Sequence, residues 1–134
     1  MKALDTNVLV RFLVRDDEQQ AMAVYRKFKE AETNKEIFFI PALVVLETVW
    51  VLESVYEVAK QEVLNSIDEL LLMPILEFEI QSAIRSFVTS ARETKIDLSD
   101  LLIAHAAKFS GCECVLTFDK RASSFSLFEL LNSS

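Results

Sequence analysis

The segment Met1–Val14 (MKALDTNVLVRFLV) contains the pattern that decides the fold. Its short apolar start, Lys2–Leu4, ends at a carboxylate, Asp5. Apolar residues at helical spacing follow at once over Thr6–Val14. This order predicts a buried strand, an acid directly after the strand, and then a helix.

The same kind of order recurs along the chain. Glu36–Ile40 (EIFFI) is a predicted strand, and Pro41 suits the first turn of a helix that runs to about Ser54. Cys114–Phe118 (CVLTF) is a second such strand, and Asp119 follows it directly. The other predicted elements are a helix that starts at Asp16-Asp17-Glu18, a helix over about Val58–Leu72, a short strand at Pro74–Leu76, a helix over about Glu79–Glu93, a helix over Ser99–Phe109 that ends near Gly111, and a docked tail at Phe125–Leu131. Alternating strands and helices with short connections predict an α/β fold with four or five short, mainly parallel strands.

The composition excludes several classes of site. A chain of 134 residues, 51% of them hydrophobic, suits one domain over residues 1–134, and no repeat or linker divides it. Its single glycine, Gly111, excludes the glycine-rich loops that bind dinucleotides or nucleoside triphosphates. Its single histidine, His105, with only Cys112 and Cys114, cannot build an ordinary four-ligand zinc site.

The charge balance is acidic, with 21 Asp and Glu against 14 Lys and Arg and a net charge of -7. This argues against a protein that holds nucleic acid mainly through a basic face, but it allows divalent cations held by acids to handle phosphates.

The few cysteines fit a reducing compartment, and the N-terminus, with Asp5 and Arg11, does not resemble a signal peptide. No apolar run approaches the ~20 residues of a membrane span. We expect a soluble, cytoplasmic protein with no membrane partner.

Asp5 and Asp119 each follow a predicted buried strand. Asp5 suits a helix cap that accepts the N–H of Asn7 or Val8, and Asp119 suits a turn. In a parallel α/β sheet, however, the carboxyl ends of the strands share one edge, where ligands bind. We therefore also expect both acids at one edge of the sheet.

Two more acids, Asp97 and Asp100, lie at the entrance to the helix predicted over Ser99–Phe109. Either Asp97 or Ser99 can act as its N-cap, and Asp100 supports the first turn through the helix dipole. Capping accounts less well for Asp100, because its neighbours one turn further on are small or apolar.

Glu47 is the acid whose helical neighbours are the most apolar. Its neighbours three and four residues away are all apolar: Leu43, Val44, Trp50 and Val51. A glutamate on such a face either is buried with a partner, for which Arg11 and Arg15 are the candidates, or lines a cleft. We favour a catalytic or metal-binding carboxylate.

Several carboxylates that gather at one cleft repel one another and require cations. Hard oxygen ligands select Mg²⁺ or Mn²⁺. The chemistry that uses such a cluster without His or Cys is metal-assisted phosphoryl transfer, especially phosphodiester hydrolysis.

The ordered set of acidic motifs resembles the PIN-domain family, and in particular the VapC-type toxins of prokaryotic toxin–antitoxin pairs. The motifs are Asp5-Thr6-Asn7, the lone helical Glu47, Asp97-Leu98-Ser99-Asp100-Leu101-Leu102-Ile103-Ala104 and Leu116-Thr117-Phe118-Asp119-Lys120. Their order and spacing match over essentially the whole chain. One departure is the tail, which lacks the glycine often seen there.

The resemblance implies a three-layer α/β/α fold whose short, mainly parallel central sheet is surrounded by helices. It also implies a Mg²⁺- or Mn²⁺-dependent endoribonuclease that cuts RNA, pairs with a small antitoxin and forms a homodimer. The implied catalytic and metal-binding acids are Asp5, Glu47, Asp100 and Asp119; the implied supporting residues are Thr6, Asn7, Asp97 and Thr117; candidate RNA contacts are Lys120 and Arg121.

Two rival functions stay open. One is a PIN-like module that binds a partner protein without cleaving RNA, although intact acids count against it. The other is a haloacid-dehalogenase-like phosphatase, which needs a second Asp two residues after Asp5, where this chain has Asn7. We assign structural roles to His105 and to Trp50, the latter with most phenylalanines in the core.

Overall fold

The structure is a computed structural model that describes residues 1–132. These residues form six α-helices, five short strands and one 3₁₀ turn. In chain order they are β1 (Lys2–Ala3), α1 (Thr6–Val14), α2 (Glu18–Asn34), β2 (Phe38–Ile40), α3 (Ala42–Ser54), α4 (Lys60–Leu71), β3 (Leu76–Phe78), α5 (Gln81–Arg92), α6 (Leu98–Phe109), β4 (Val115–Thr117), the 3₁₀ turn (Ala122–Ser124) and β5 (Phe128–Leu130). The chain divides into two compact units, Met1–Glu79 and Ile80–Ser134.

The first unit contains a parallel three-stranded sheet in the order β1-β2-β3. Ala3 is paired with Phe39, and Ile40 is paired with Phe78. The N–H of Leu4 donates to the carbonyl of Phe39 at 2.9 Å, so the ladder continues to the residue before Asp5. All three strands therefore end at the same edge of this sheet.

Helices α1 to α4 belong to the same unit. Helix α1 packs against α2 and α3, and α4 packs against α3 and β3. Their fully buried side chains include Leu9, Val49, Leu64 and Ile67. Burial of each such side chain stabilises the fold by roughly 1.5–3 kcal/mol.

The second unit is built on a parallel pair of strands and a helix pair. Val115 is paired with Phe128 and Thr117 with Leu130, while α5 packs against α6. Phe87 is fully buried in this unit, and Phe128 is buried. The buried Phe128 confirms that the tail is docked, as its density of aromatics and leucines predicts.

The predicted elements are present, with shifts that have local causes. All five strands lie in parallel pairs, as predicted. The third strand starts at Leu76 rather than at Pro74, because proline cannot donate to a ladder and the Leu76 N–H instead closes a turn onto the carbonyl of Met73 at 3.1 Å. Helix α3 starts one residue after Pro41, which occupies the N-cap instead of the first turn.

Gly111 has φ +95° and follows the C-cap of α6, which confirms the predicted left-handed end of this helix. The non-glycine residue Ile80 also has a positive φ, of 51°. A β-branched side chain is rarely found in that conformation. The chain is therefore strained immediately after Glu79.

None of the helices in the described part of the chain has the length and apolar composition needed to cross a membrane.

Candidate acidic site

Asp5 is the N-cap of α1. Its backbone is extended, two residues after the end of β1, and its Oδ1 accepts the N–H of Val8 at 3.1 Å. The predicted capping bond is therefore present, and the carboxylate stays exposed beside it. Capping and ligand binding are compatible, because one carboxylate has two oxygens and about four lone-pair positions.

The two residues after Asp5 differ in exposure. Thr6 is buried and Asn7 is exposed. Among residues 1–132, neither side chain is hydrogen-bonded to an Asp or Glu carboxylate. Their supporting role stays a prediction.

Glu47 is exposed on α3, so of the two alternatives for this acid the structure excludes burial with a partner. Leu43 is 78% exposed and Trp50 is 55% exposed, so the placement of Trp50 in the core is also wrong. The buried face of α3 consists instead of Val45, Thr48, Val49 and Leu52. A helix that is apolar nearly all round buries only one of its faces here, and Glu47 belongs to the other.

Arg11, one of the two candidate partners for a buried Glu47, is bonded to other residues. Its Nη1 is 3.0 Å from Asp16 Oδ1 and 3.1 Å from the Tyr56 hydroxyl, while its Nε donates to Gln20 at 2.7 Å. Tyr56 donates in turn to Asp16 Oδ2 at 2.7 Å, and this bond, together with the Arg11 charge, lowers the pKa of Asp16. This network ties the α1–α2 connection to the end of α3 and leaves Glu47 without an ion pair to the described residues.

Asp97 is the N-cap of α6, rather than Ser99. Its Oδ2 accepts the N–H of Asp100 at 3.4 Å, and its own carbonyl accepts the N–H of Leu101 at 3.0 Å. Asp100 lies in the first turn and is half-buried, whereas Asp97 is exposed. Of the two alternatives for the cap, the structure therefore selects Asp97.

Asp119 orders the turn after β4. Its Oδ1 accepts the N–H groups of Arg121 at 2.8 Å and Ala122 at 3.3 Å, and the Thr117 hydroxyl accepts the N–H of Asp119 at 3.0 Å. The threonine thus fixes the backbone that carries the acid. Lys120 and Arg121, on the same turn, are exposed.

Asp97, Asp100 and Asp119 influence one another electrostatically. The pKa of Asp100 is raised, first by partial burial and then by the negative charges of Asp97 and Asp119. Asp97, Asp100 and Asp119 therefore lie close enough to interact within the second unit. The gathering of Asp5, Glu47, Asp100 and Asp119 at one site stays a prediction. Asp5 and Glu47 belong to the first unit, on the packed helix pair α1 and α3.

The sequence of this chain is similar to known proteins over nearly its whole length. The sequence profile of the PIN domain matches residues 2–126, nearly the whole chain. The chain belongs to the PIN domain family. A protein described as VapC ribonuclease, from Aquifex aeolicus (strain VF5), is 27% identical over 121 residues, which is 90% of this chain and 89% of that protein. The family match confirms the three-layer α/β/α class and the family that the acidic motifs predict.

The donor chemistry of this PIN domain fits a hard divalent cation. Asp100 shares its region with two further carboxylates and is disfavoured in its charged form, a penalty that a nearby cation would remove. Within residues 1–132, no group of three or more His, Cys, Asp or Glu side chains is arranged so that it could hold a metal ion. The acids thus form an electrostatic cluster rather than a finished coordination cage.

His105 has the structural role that the sequence indicates. It is buried, and its Nε2 lies 3.0 Å from the Ser90 hydroxyl, between α5 and α6 of this PIN domain. Burial, followed by the Lys108 charge, lowers its pKa, so the neutral ring is favoured.

Glu79 has a structural role that the sequence does not predict. Glu79 reads as the start of a helix, but α5 begins two residues later and Glu79 is instead bonded to α3: its Oε1 accepts the N–H of Ala42 at 2.8 Å. The only hint in the sequence is Pro41, whose side chain cannot cap the helix that it precedes.

Proposed function

We propose that this chain is one PIN domain spanning residues 1–134 and acts as a metal-dependent endoribonuclease, the toxin of a toxin–antitoxin pair. The observation that carries the proposal is the match of the PIN domain profile to residues 2–126. The electrostatic interaction of Asp100 with Asp97 and Asp119 is consistent with it. The VapC ribonuclease relative supports RNA as the substrate.

In this proposal, Asp5, Glu47, Asp100 and Asp119 hold Mg²⁺ or Mn²⁺. A bound divalent cation supplies Lewis-acid activation of the attacking water and neutralises the charge that develops on the phosphate. Asp5 lies at the N-cap of α1 and Glu47 lies on α3. Asp100 lies in the first turn of α6 and Asp119 in the turn after β4.

The remaining residues of the site position these acids or attract the substrate. Asp97 orients the first turn of α6 through the Asp100 N–H, and Thr117 holds the Asp119 backbone. Lys120 and Arg121 are exposed beside Asp119, where their charges attract the phosphate backbone of RNA.

The partners follow from the same proposal. The substrate is RNA, and a small antitoxin covers the acids until it is removed. We propose a homodimer through α3, because Leu43 and Trp50 lie seven residues apart on one exposed stripe, and exposed apolar surface of this kind marks interaction sites. Glu47 lies about 40–60° round the helix from that stripe. The cytoplasmic location expected from the sequence stays a prediction.

The activity is tested with protein that has been purified free of any antitoxin. We expect cleavage of structured RNA with Mn²⁺ or Mg²⁺ and none with chelator. Asp5→Asn is expected to lower kcat at least 100-fold while the fold is retained, because Asn caps a helix as well as Asp does.

The matched control is Asp17→Asn. Asp17 caps α2 through the Gln20 N–H at 3.0 Å, in the same way as Asp5 caps α1, but it is not one of the proposed site acids. Equal activity of wild type and Asp5→Asn would reject the nuclease. RNA binding with no cleavage by the wild type would favour the silent binding module instead.

A further inference from the structure

Glu79 occupies a distinctive place in the first unit. It directly follows β3, as Asp5 follows the ladder of β1, so it lies at the edge where the three parallel strands end. Its N–H donates to the carbonyl of Ile40 at 3.0 Å, which extends the β2–β3 ladder by one residue.

The side chain of Glu79 is bonded to a different element. Its Oε1 accepts the N–H of Ala42, the first residue of α3, at 2.8 Å. Glu79 is therefore hydrogen-bonded to the chain on both sides of Pro41: its main-chain N–H is bonded to Ile40, and its carboxylate is bonded to Ala42. Two bonds from one residue hold the point where β2 turns into α3.

This cap replaces one that α3 lacks. Its N-cap is Pro41, which forms no side-chain cap bond, whereas Asp5 and Asp17 cap α1 and α2 with their own carboxylates. The first N–H groups of a helix have no partner within the helix, so a donor such as that of Ala42 needs an external acceptor. A carboxylate there also interacts favourably with the helix dipole.

We propose that Glu79 is a positioning residue for the acidic site: it fixes the first turn of α3 on the sheet and thereby places Glu47. Glu47 is five residues beyond Ala42, about 7.5 Å along the helix axis at ~1.5 Å per residue. The inference rests on the proposed function, in which Glu47 holds the metal.

The mechanical reason is that a cap at 2.8 Å leaves the start of α3 little freedom to shift along the sheet edge. Loss of the cap frees that turn, and a displacement of about 1 Å at a catalytic group can lower a rate by about 100-fold. The chain also enters its strained residue, Ile80, immediately after Glu79, which keeps the end of β3 from continuing as a strand.

The test compares Glu79→Ala with Glu79→Gln, whose amide oxygen can still accept the Ala42 N–H. The matched control is Glu77→Ala, an exposed glutamate on the same strand that caps no helix. We expect faster hydrogen exchange at the Ala42 amide and a moved Glu47 side-chain carboxyl resonance in Glu79→Ala only. In RNA cleavage, kcat should fall about tenfold or more with KM within twofold, and Glu79→Gln should restore most of it.

Each result decides the proposal. Unchanged exchange at Ala42 would show that the cap is not formed, and faster exchange with an unchanged Glu47 resonance and kcat would reduce Glu79 to a cap without a positioning role; either overturns it. If wild-type protein cuts no RNA, the proposed function fails. The Glu47 carboxyl resonance in Glu79→Ala then decides the proposal alone: a shifted resonance supports the positioning of Glu47 by Glu79, and an unchanged resonance overturns it.

Discussion

The carboxylate of Asp97 accepts the backbone N–H of Asp100 at 3.4 Å, and its negative charge raises the pKa of that same residue's carboxyl group. One acid thus holds the main chain of its neighbour in place and at the same time disfavours the charge on its side chain. Burial of Asp100 is the larger cause of the shift, and Asp119 adds to it. Acids with shifted pKa values of this kind occur often at functional sites.

The first prediction separates these two effects of Asp97. Asp97→Asn keeps the capping bond and removes the charge, so the pKa of Asp100 should fall toward its ordinary value. Asp97→Ala should lower that pKa as well but lose about 1 kcal/mol of stability with the cap. Carboxyl-carbon NMR titration and denaturant unfolding measure the two quantities. An unchanged Asp100 titration in Asp97→Asn would contradict the electrostatic coupling.

The second prediction concerns stability against pH. The pKa of Asp100 is raised in the folded protein. The ionised carboxylate therefore destabilises the folded state, fully at pH values above the raised pKa. This destabilisation is absent below the ordinary carboxyl pKa of about 3.9. Asp100→Asn should therefore be more stable than wild type at pH 7, by about 0.5 kcal/mol or ~2 °C in Tm after allowance for solvent screening.

The difference between Asp100→Asn and wild type should shrink as pH falls through the raised pKa toward pH 4. Thermal melts across pH 4–8 in the presence of chelator measure it. Glu36→Gln, at another half-buried acid, serves as the control for a change of net charge. A gap between Asp100→Asn and wild type that stays constant over the whole range would contradict the assignment.

The third prediction concerns divalent cations. A cation that binds the folded but not the unfolded protein stabilises the folded state by RT ln(1 + [L]/Kd), where [L] is the free cation concentration. This is about 1.4 kcal/mol when that concentration is tenfold above Kd. Millimolar Mn²⁺ should therefore raise the Tm of wild type by several degrees and that of Asp100→Asn by much less. Ca²⁺ and added NaCl of equal ionic strength serve as controls. An equal response of both proteins to Mn²⁺ would place the cation elsewhere.

The fourth prediction concerns His105. Its pKa is lowered in the folded protein, so the neutral ring contributes stability that is complete above the ordinary value of about 6.5 and is lost as pH falls through 6.5 toward the lowered pKa. His105→Gln should flatten the stability profile over that window. Because the chain has one histidine, a single imidazole proton resonance reports the pKa directly. A titration at or above 6.5 would contradict burial of the ring.

Much of the molecule is readable from local sequence. The strand, acid and helix order at the N-terminus predicts β1, the Asp5 cap and α1, because each depends on neighbours within four residues. The caps at Asp17 and Asp97 and the left-handed Gly111 are local in the same sense. The family, too, follows from acidic motifs whose order along the chain is independent of packing.

Exposure is where local patterns fail. The aromatic side chain of Trp50 predicts burial, and the apolar neighbours of Glu47 leave burial open as an alternative, yet both residues are exposed on α3. A helix with apolar residues nearly all round gives no periodic signal for which face docks on the sheet. Only the packing of α3 against α1 and α4 decides that question.

By itself, therefore, the sequence determined the elements and the local caps at Asp5 and Asp17, because hydrogen bonds within a few residues and the spacing of apolar side chains specify them. Tertiary structure alone decided which partners distant polar groups take. Arg11 is bonded to Tyr56, 45 residues away, and Glu79 is bonded to Ala42, 37 residues away. Such pairs have no sequence signal, since they exist only after folding has brought distant segments of the chain together.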